Sequence, residues 1–395
     1  MAAPTVGRGL ESVYEACPLP RLTSGFAALR AIGWPGDALP RAGAWAEVMA
    51  AHPRARPARV VEQHRSGYIV AEDVEGGYAV ESLPEWQRPA GYRQDMAPAQ
   101  QRPAVGDWLL VEAGADQTPK VAALLPRYSA IKRGAAGEHY KQQVIAANID
   151  TVFVVCGLDG DFNPRRIERY LLLVHGGGAQ PVVVLTKADR DGADPAAALA
   201  ALADVAGPGV PVVAVNAKDR VSVAALHRWL PAGSTAVLVG SSGAGKSTLT
   251  NTLLGREKMK TRAVREADAR GRHTTTHRAL IALPTGACLI DTPGMRELKP
   301  TGEETLVDGG FVDIAALADA CRFRDCRHDR EPGCAVRSAI AAGTLDPARF
   351  ANYLKLRDEV AGAAGQLATR LAEQAAVQGH GPASGRRGEG KPGKR

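Results

Sequence analysis

The sequence predicts a multidomain protein with a small β-barrel, a doubly wound α/β domain and an α-helical C-terminal unit. Short runs that alternate apolar and polar residues, divided by Gly and Pro, extend from 59 to about 130 and indicate the barrel. Longer β-branched runs alternate with amphipathic helices from 144 to 294, which is typical of a mainly parallel sheet. After residue 313, helix-forming segments surround a cluster of cysteines and a histidine.

The length and composition restrict the class of protein. The chain has 395 residues and a formal net charge of +7. This charge favours a polyanionic partner such as nucleic acid, although many basic proteins bind none. There is no uncharged apolar stretch long enough to span a membrane, and the first residues do not resemble a signal peptide. We therefore expect a cytoplasmic protein without a membrane partner.

The chain divides into five segments by composition. Residues 1–58 are expected to form a helical N-terminal extension, and 366–395 a basic, Gly-rich disordered tail. Between them we expect the barrel at 59–135, the α/β domain at 136–305 and the helical unit at 306–365. The barrel carries basic residues at its end and is compatible with an oligonucleotide-binding (OB) fold. A barrel that only separates its neighbours fits the pattern equally well.

The stretch "GSSGAGKST" at 240–248 follows the apolar run "TAVLV" and opens a helical segment. It matches the phosphate-loop pattern G-x-x-x-x-G-K-[ST], in which backbone N–H groups and the lysine surround the phosphates. A purely structural glycine loop is the alternative. The predicted nucleotide-binding residues here are Gly240, Ser241, Ser242, Gly243, Ala244, Gly245, Lys246, Ser247 and Thr248.

Two later segments are predicted to complete the phosphate side of the site. Ser247 can ligate Mg²⁺, and Asp291 in "LIDTPG" can hold the same ion through water. The backbone N–H of Gly294 can contact the γ-phosphate and order a switch loop. In "RHTTTHR" we favour Thr275, ahead of its two Thr neighbours, as a further contact to Mg²⁺ and γ-phosphate. An Asp-Pro turn and an ordinary polar loop are the alternatives.

The segment "LTKAD" is predicted to read the base. The carboxylate of Asp189 can accept hydrogen bonds from the N1–H and the amine of guanine, a donor pair that adenine lacks, and the Lys187 stem can pack on the base plane. Thr186 replaces the usual Asn of this motif and can still bond to the phosphate loop. After the next apolar run, Ala217 can offer its N–H to guanine O6, with Asn216 as support. These segments precede the phosphate loop, so the order of elements is that of a circularly permuted domain.

The cysteine cluster has the spacing of a metal site. Cys321-x4-Cys326-x-His328-x5-Cys334 supplies three thiolates and one imidazole, a closed tetrahedral set suited to structural zinc. Four ligands in so short a segment can fold a unit that lacks a hydrophobic core of its own. An iron–sulfur cluster or a fortuitous grouping is the alternative. Nearby arginines fit RNA phosphates or a solvated basic face.

These motifs together resemble the ribosome small-subunit-dependent GTPases (RsgA/YjeQ family), which are circularly permuted GTPases of 30S maturation. The resemblance extends from about 59 to 360 and implies an OB barrel, a permuted GTPase domain and a zinc domain. It also implies contact with 16S rRNA, GTP hydrolysis stimulated by the 30S subunit, and a monomer. The segments that carry the resemblance are "PAVGDWLLVE", "AANIDTVFVV", "RIERYLLL", "LTKAD", "GSSGAGKSTLTN", "GRHTTTHR", "LIDTPGMRE" and "CRFRDCRHDREPGCAV".

The catalytic water is the least determined part of the prediction. GTP hydrolysis depends on positioning and charge stabilisation. Ras-like proteins place a Gln just after the D-x-x-G element, where this chain has Met295. We therefore expect slow intrinsic turnover, with His273 and Thr275 as candidate catalytic residues; His273 fits a polar loop or an RNA contact at least as well. The alternatives are a non-catalytic GTP-dependent RNA-binding protein and an ATP-dependent enzyme, the latter disfavoured by Asp189.

Overall fold

A computed structural model of the protein describes two connected β-regions and a helical C-terminal region. One mixed sheet of eleven strands runs through both β-regions, and a separate two-stranded hairpin lies between them in sequence. The residues that the structure describes are 26–35, 42–64, 67–83, 86, 101–114, 118–135, 141–207, 209–256, 278–291, 299–307 and 309–379.

The first β-region contains five short strands that pair in a ring. Strand β1 pairs antiparallel with both β2 and β4, β2 pairs with β3, and β4 pairs with β5. Just after β3, Glu81 exchanges backbone hydrogen bonds with Pro119 and Val121 of β5, so the pairing returns to its start. The strands are β1 (Arg56–Gln63), β2 (Tyr68–Ala71), β3 (Tyr78–Val80), β4 (Trp108–Ala113) and β5 (Pro119–Leu124).

Two helices of the N-terminal extension pack against this ring. They are α1 (Phe26–Ala31) and α2 (Ala42–Ala51). Trp34 and Trp45 are buried against Trp108 of β4, with ring centroids 4.8 and 6.4 Å from the Trp108 ring. Aromatic rings at such distances bury large apolar areas in favourable tilted geometry. The described part of the extension is therefore integral to the packing of the ring.

The buried side chain of Arg59 joins three parts of the chain. It has no exposed surface, and its guanidinium donates to the carbonyl oxygens of Ile32, Gly106 and Asn148 at 2.5, 3.2 and 3.1 Å. Its Cζ also lies 5.3 Å from the ring centroid of Trp108. A buried cation is stable only when its donors are satisfied. Arg59 thus fixes the extension, the ring and the start of the α/β region to one another.

The α/β region begins with a hairpin of β6 (Ala130–Ala135) and β7 (Lys141–Ala147), which lies across the expected boundary at residue 135. Its sheet has the order β10-β9-β8-β11-β13-β12, and every pair is parallel except β12 with β13. Strand β12 also meets β1 at one residue pair. The strands are β8 (Thr151–Gly157), β9 (Gln180–Thr186), β10 (Val212–Ala214), β11 (Thr235–Val239), β12 (Ala279–Ala282) and β13 (Cys288–Asp291).

This strand order places the predicted motifs together. The strand before the phosphate loop, β11, lies between β8 and β13, and the two base-reading strands lie beyond β8. Because the carboxyl ends of parallel strands meet at one edge, segments distant in sequence converge there. The strands are held by apolar layers on both faces of the sheet, one of which contains the buried Cys156. Cys288 is also buried, with its thiol 3.8 Å from the carbonyl oxygen of Ala31.

Helices cover the faces of this sheet. Asn163 and Asp194 cap α3 (Pro164–His175) and α4 (Pro195–Ala206) through hydrogen bonds to first-turn N–H groups, with Pro at the first helical position. The run "AALHRW" forms a 3₁₀ helix, Ala224–Trp229, after the short α5 (Arg220–Val223). Three residues per turn place Leu226 and Trp229 on one face, and both are buried.

The C-terminal region contains α7 (Val312–Asp319), α8 (Ala335–Ala341) and α9 (Pro347–Gly379). Helix α9 continues past residue 366, so the expected start of the disordered tail lies inside a helix. Residues 366–379 are rich in Ala, Gln and Leu, which have high intrinsic helix propensity. In the described ranges, none of the helices combines the length and apolar character needed to cross a membrane.

Candidate nucleotide and metal sites

The phosphate loop connects β11 to α6 (Lys246–Leu254) and depends on glycine conformations. Gly240, Gly243 and Gly245 have φ values of 143°, 85° and 95°, which L-side chains rarely adopt. A Cβ atom on Gly240 would lie 2.1 Å from the carbonyl oxygen of Val155 on β8. The glycines are therefore required by the backbone path as well as by any bound phosphate.

Lys246 lies across the loop that it follows. Its Nζ atom donates to the carbonyl oxygens of Gly240 and Ser241 at 2.7 and 2.5 Å. Gly245, the N-cap of α6, has no side chain with which to cap the first-turn N–H groups. The predicted residues Ser247 and Thr248 lie in that first turn. Lysine charge and helix N-terminus thus meet at the loop, an arrangement that attracts phosphate.

Thr186 connects the base-reading segment to the phosphate loop. It ends β9, is completely buried, and donates from Oγ1 to the carbonyl oxygen of Ala244 at 2.5 Å. A Cβ atom on Gly245 would lie 3.0 Å from the same Oγ1. Two motifs separated by more than fifty residues in sequence are therefore in direct contact. The threonine hydroxyl makes the bond to the loop that the sequence analysis attributes to it.

Lys187 and Asp189 follow on an unusual backbone turn. Lys187 has φ of 61°, and its ammonium pairs with the carboxylate of Asp159, which also accepts from Arg190 at 2.9 Å. Partial burial raises the pKa of Asp159, but hydrogen bonds from Lys187 and the Asp161 N–H outweigh it and hold the pKa below its ordinary value. Asp189 is exposed to solvent beside this pair. Its carboxylate is therefore accessible to a base.

The segment after β10 is fixed by hydrogen bonds. The N–H of Asn216 donates to Ser222 Oγ at 2.9 Å, and its side-chain oxygen accepts from the N–H of Lys218 at 3.0 Å. The carbonyl oxygen of Ala217 accepts from Thr252 Oγ1 on α6 at 2.6 Å. The candidate guanine-O6 contact is thus attached to the helix that begins at the phosphate loop.

Asp291 ends β13 at the same edge of the sheet as the phosphate loop. The register pairs Ile290 with Val237 of β11, so Asp291 lies level with the end of the loop strand. Gly294, His273 and Thr275, the other predicted switch and catalytic residues, lie outside the described residues, as does Met295.

Sequence reasoning missed the loop between β8 and α3. This loop contains Asp159, which pairs with Lys187, and Asp161. The carboxylate of Asp161 accepts hydrogen bonds from the hydroxyl of Ser241, the second residue of the phosphate loop, and from Arg166 on α3. An acidic residue beside a phosphate site has no favourable direct contact with an anion, so no motif pointed to it. The signal available was only its position after a parallel strand, at the edge where sites form.

The four predicted metal ligands come together. Nδ1 of His328 lies 3.6 Å from Cys321 Sγ and 3.5 Å from Cys334 Sγ, and the two sulfurs are 3.9 Å apart. All four ligand atoms, including Cys326 Sγ, lie within 4.8 Å of one another. Ligands of a tetrahedral zinc ion lie about 3.5–3.8 Å apart, given Zn–S near 2.3 Å and Zn–N near 2.0 Å. The donor set and its spacing therefore fit a zinc ion.

The cluster lies at the edge of a small apolar core. Cys334 is buried and caps α8, where its Sγ accepts from the N–H of Arg337. The His328 ring meets the ring of Phe350 at 83°, with centroids 5.9 Å apart. Burial raises the pKa of Cys321, but backbone N–H donors from α8 and neighbouring thiols lower it below its ordinary value. The metal-binding segment therefore does not need to fold without a hydrophobic core, because α7, α8 and α9 supply one beside it.

Comparison with known proteins gives a consistent result. The profile of the RsgA GTPase family matches residues 124–301. A protein named small ribosomal subunit biogenesis GTPase RsgA from Xanthomonas axonopodis pv. citri (strain 306) is 66% identical over 362 residues, 91% of this chain and 96% of its own length. The protein of the same name from Xanthomonas campestris pv. campestris (strain B100) is 66% identical over 359 residues, 90% of this chain and 95% of its own length.

Two solved structures share the fold. YjeQ from Thermotoga maritima aligns with a TM-score of 0.54 and 22% identity, covering 78% of this chain and 99% of its own. YloQ, described as a circularly permuted GTPase, aligns with a TM-score of 0.50 and 21% identity, covering 83% of this chain and 97% of its own. The permuted order predicted from the position of "LTKAD" is thus confirmed at the level of the fold.

Proposed function

Because this chain belongs to the RsgA GTPase family, and so is a GTPase of small ribosomal subunit biogenesis, we propose that it acts late in maturation of the 30S subunit. It hydrolyses GTP slowly alone and faster when the 30S subunit is bound. The bound nucleotide occupies the phosphate loop at 240–248 and the base-reading segments described above.

One contact carries the assignment of the nucleotide site. Thr186 Oγ1 donates to the carbonyl oxygen of Ala244, which joins the base-reading segment to the phosphate loop. This contact supports a proposed pose in which the phosphates lie against Lys246, the Lys187 stem packs on the base plane and Asp189 meets the base edge. The exposed carboxylate of Asp189 then selects guanine, since adenine cannot offer two donors in line with it.

Two metal ions take part in this proposal. Ser247 and Thr275 would hold the Mg²⁺ of the nucleotide through their hydroxyls, and Asp291 would hold it through water. Mg²⁺ neutralises charge on the β- and γ-phosphates when bound. One structural zinc ion is held by Cys321, Cys326, His328 and Cys334, which leave no position for water and hence no catalytic role.

The catalytic step depends on ordering of the switch segments. Met295 has no group that can orient water, so His273 is our candidate for that role, next to Thr275. The subunit then acts by ordering this loop. The γ-phosphate is held by Lys246 and by the N–H of Gly294, so these contacts are lost on hydrolysis.

Two surfaces are proposed to contact 16S rRNA. The closed pairing of β1–β5 supports the assignment of this ring as an OB-type barrel, a fold that binds oligonucleotides on its strands and loops. The metal loop presents exposed arginines, including Arg324, Arg327 and Arg330. Counterion release from phosphates makes such contacts dependent on salt.

The protein works as a cytoplasmic monomer.

The switch segment is followed closely by the metal loop, since only residues 295–320 separate them. Loss of the γ-phosphate therefore moves the metal-binding unit relative to the barrel and weakens the grip on rRNA. Equal affinity of the 30S subunit for the protein with GDP and with a non-hydrolysable GTP analogue would contradict this coupling.

The experiment that tests the function is phosphate release from GTP and from ATP, with 30S subunits, with 50S subunits and with neither. We expect slow release from GTP alone, strong stimulation by 30S only and no release from ATP. Binding of GTP without stimulated release would favour a non-catalytic GTP-dependent RNA-binding protein. Equal use of ATP would refute the role of Asp189.

A further inference from the structure

The loop between β8 and α3 touches both halves of the nucleotide site. Its Asp159 holds Lys187 of the base-reading segment, and its Asp161 holds Ser241 of the phosphate loop. The two aspartates are themselves joined, because the N–H of Asp161 donates to Asp159 Oδ1 at 3.1 Å. The loop therefore connects the base-reading segment to the phosphate loop through side-chain hydrogen bonds.

Both carboxylate oxygens of Asp161 are in use. Oδ2 accepts from the Ser241 hydroxyl and lies 3.5 Å from the N–H of Gly157, while Oδ1 accepts from the guanidinium of Arg166. The hydroxyl proton of Ser241 is thus committed to a carboxylate and is not available to a phosphate oxygen. The arginine offsets the negative charge that Asp161 would otherwise place near the nucleotide.

Helix α3, which carries Arg166, also contacts the C-terminal region. Arg166 lies on α3, whose buried Glu168 accepts from Arg349 and Asn352 of α9. Arg349 is also nearly buried, and it donates to Asp313 of α7 at 2.9 Å. Helix α3 is therefore linked to the phosphate loop through Arg166 and Asp161, and to α9 through Glu168.

We propose that Asp161 is a positioning residue of the nucleotide site, which fixes Ser241 and so the start of the phosphate loop to helix α3. The carboxylate touches neither base nor phosphate. Its effect is to hold the loop backbone in the conformation that presents N–H groups to the phosphates, before nucleotide binds. A preorganised loop loses less freedom on binding, so the benefit is shared by GDP and GTP. The proposal rests on the nucleotide site proposed above.

The test compares four variants of the full chain: Asp161→Ala, Asp161→Asn, Ser241→Ala and the double variant Asp161→Ala/Ser241→Ala. Dissociation constants for fluorescent GDP and a non-hydrolysable GTP analogue are measured, followed by KM and kcat with 30S subunits. Melting followed by circular dichroism without nucleotide reports the fold. Asp358→Asn is the matched control, because Asp358 is exposed on α9 and pairs only with its neighbour Arg357 in the described structure.

We expect Asp161→Ala to raise both dissociation constants and KM by about tenfold, the effect of one charge-assisted hydrogen bond, with kcat changed less than about threefold. Asp161→Asn keeps an acceptor for Ser241 and should recover most of the affinity. The double variant should be no weaker than the weaker single variant, since both changes remove one interaction.

Three results would overturn the proposal. They are unchanged affinity in Asp161→Ala, independent and multiplying losses in the double variant, and an Asn variant as weak as the Ala variant. Binding of GDP by the wild-type chain is measured first. Its failure would refute the nucleotide site itself, whereas normal wild-type binding with unaffected variants would refute only the role of Asp161.

Discussion

The nucleotide site and the metal cluster are built in opposite ways. The nucleotide site draws residues from the ends of several strands, spread between Asp159 and Asp291, and each segment is positioned by the sheet. The metal cluster lies within 321–334, where the chain has turns but neither helix nor strand. In the nucleotide site, the sheet positions the binding residues. In the metal cluster, a bound metal ion would position the chain.

This difference determines whether a substitution in each site lowers ligand affinity or disrupts the local fold. Removing a nucleotide contact leaves the apolar layers of the sheet intact, so affinity falls while the fold survives. Removing a metal ligand takes away the main constraint on its own segment, and only the small core of α7, α8 and α9 remains beside it. The predictions below test this contrast, beginning with the largest effect.

The largest effect is expected from Cys334→Ser. Structural zinc contributes about 10–16 kcal/mol to the folding of small zinc units, and Cys334 also caps α8. We expect loss of bound zinc and rapid proteolysis within 321–345, while the dissociation constant for GDP changes less than about threefold. Zinc content, protease mapping and nucleotide titration measure this, with Arg330→Gln, an exposed change in the same loop, as the control. A parallel loss of GDP binding would break the contrast.

Next in size is Lys246→Ala. The ammonium of Lys246 lies over the phosphate loop, where it donates to the carbonyl oxygens of Gly240 and Ser241. Its removal should weaken GTP binding by about 100-fold or more, the effect of losing charge-assisted contacts to phosphate. The melting temperature should stay within about 3 °C of wild type. Lys355→Ala, on the exposed side of α9, controls for loss of a charge. A large drop in melting temperature would mean that this lysine supports the fold.

A smaller but more specific change is expected from Asp189→Asn. The amide cannot accept from both guanine donors, so GTP affinity should fall by about 100-fold or somewhat less. Xanthosine triphosphate carries a carbonyl in place of the guanine amine and should bind better to the variant than to wild type. Competition titrations with GTP and xanthosine triphosphate measure the change in nucleotide preference. Asp191→Asn, exposed in the same turn, should leave the preference unchanged. If it did not, the turn as a whole, and not Asp189, would read the base.

The same contrast explains what could be predicted from the sequence. The metal cluster is complete in one short segment, so spacing alone predicted the four side chains that the structure brings together. The phosphate loop was equally local, because its glycines, lysine and following helix are contiguous. The base-reading segment needed one further step, the recognition that strand ends at 186 and 239 meet in space, which the alternation of strands and helices supplied.

Interactions that depend on packing between distant segments could not be predicted. Nothing in the local sequence marks Arg59 as a buried residue that bonds Ile32, Gly106 and Asn148, since charged residues are usually exposed. The pairing of Glu168 with Arg349 spans a larger gap of 181 residues in sequence. The tail boundary at 366 failed for a different reason, because composition was averaged over a segment whose first part favours helix.

The smallest effect is expected from Thr186→Val. It distinguishes a role in the fold from a role in nucleotide binding, because Thr186 belongs both to the buried core and to the nucleotide site. Thr186→Val keeps the shape of the side chain and removes the hydroxyl that donates to the carbonyl oxygen of Ala244. Leaving that oxygen without its donor costs about 1–3 kcal/mol. If the sheet positions the loop, we expect nucleotide affinity to fall by roughly tenfold with a loss of only a few degrees in melting temperature. Thr369→Val is the control, because it removes an exposed threonine hydroxyl that donates to a backbone carbonyl on α9, and it should leave nucleotide affinity unchanged. A large loss of stability with unchanged affinity would instead assign the Thr186 hydroxyl to the core, and the junction between base reading and phosphate binding would have to lie elsewhere along β9.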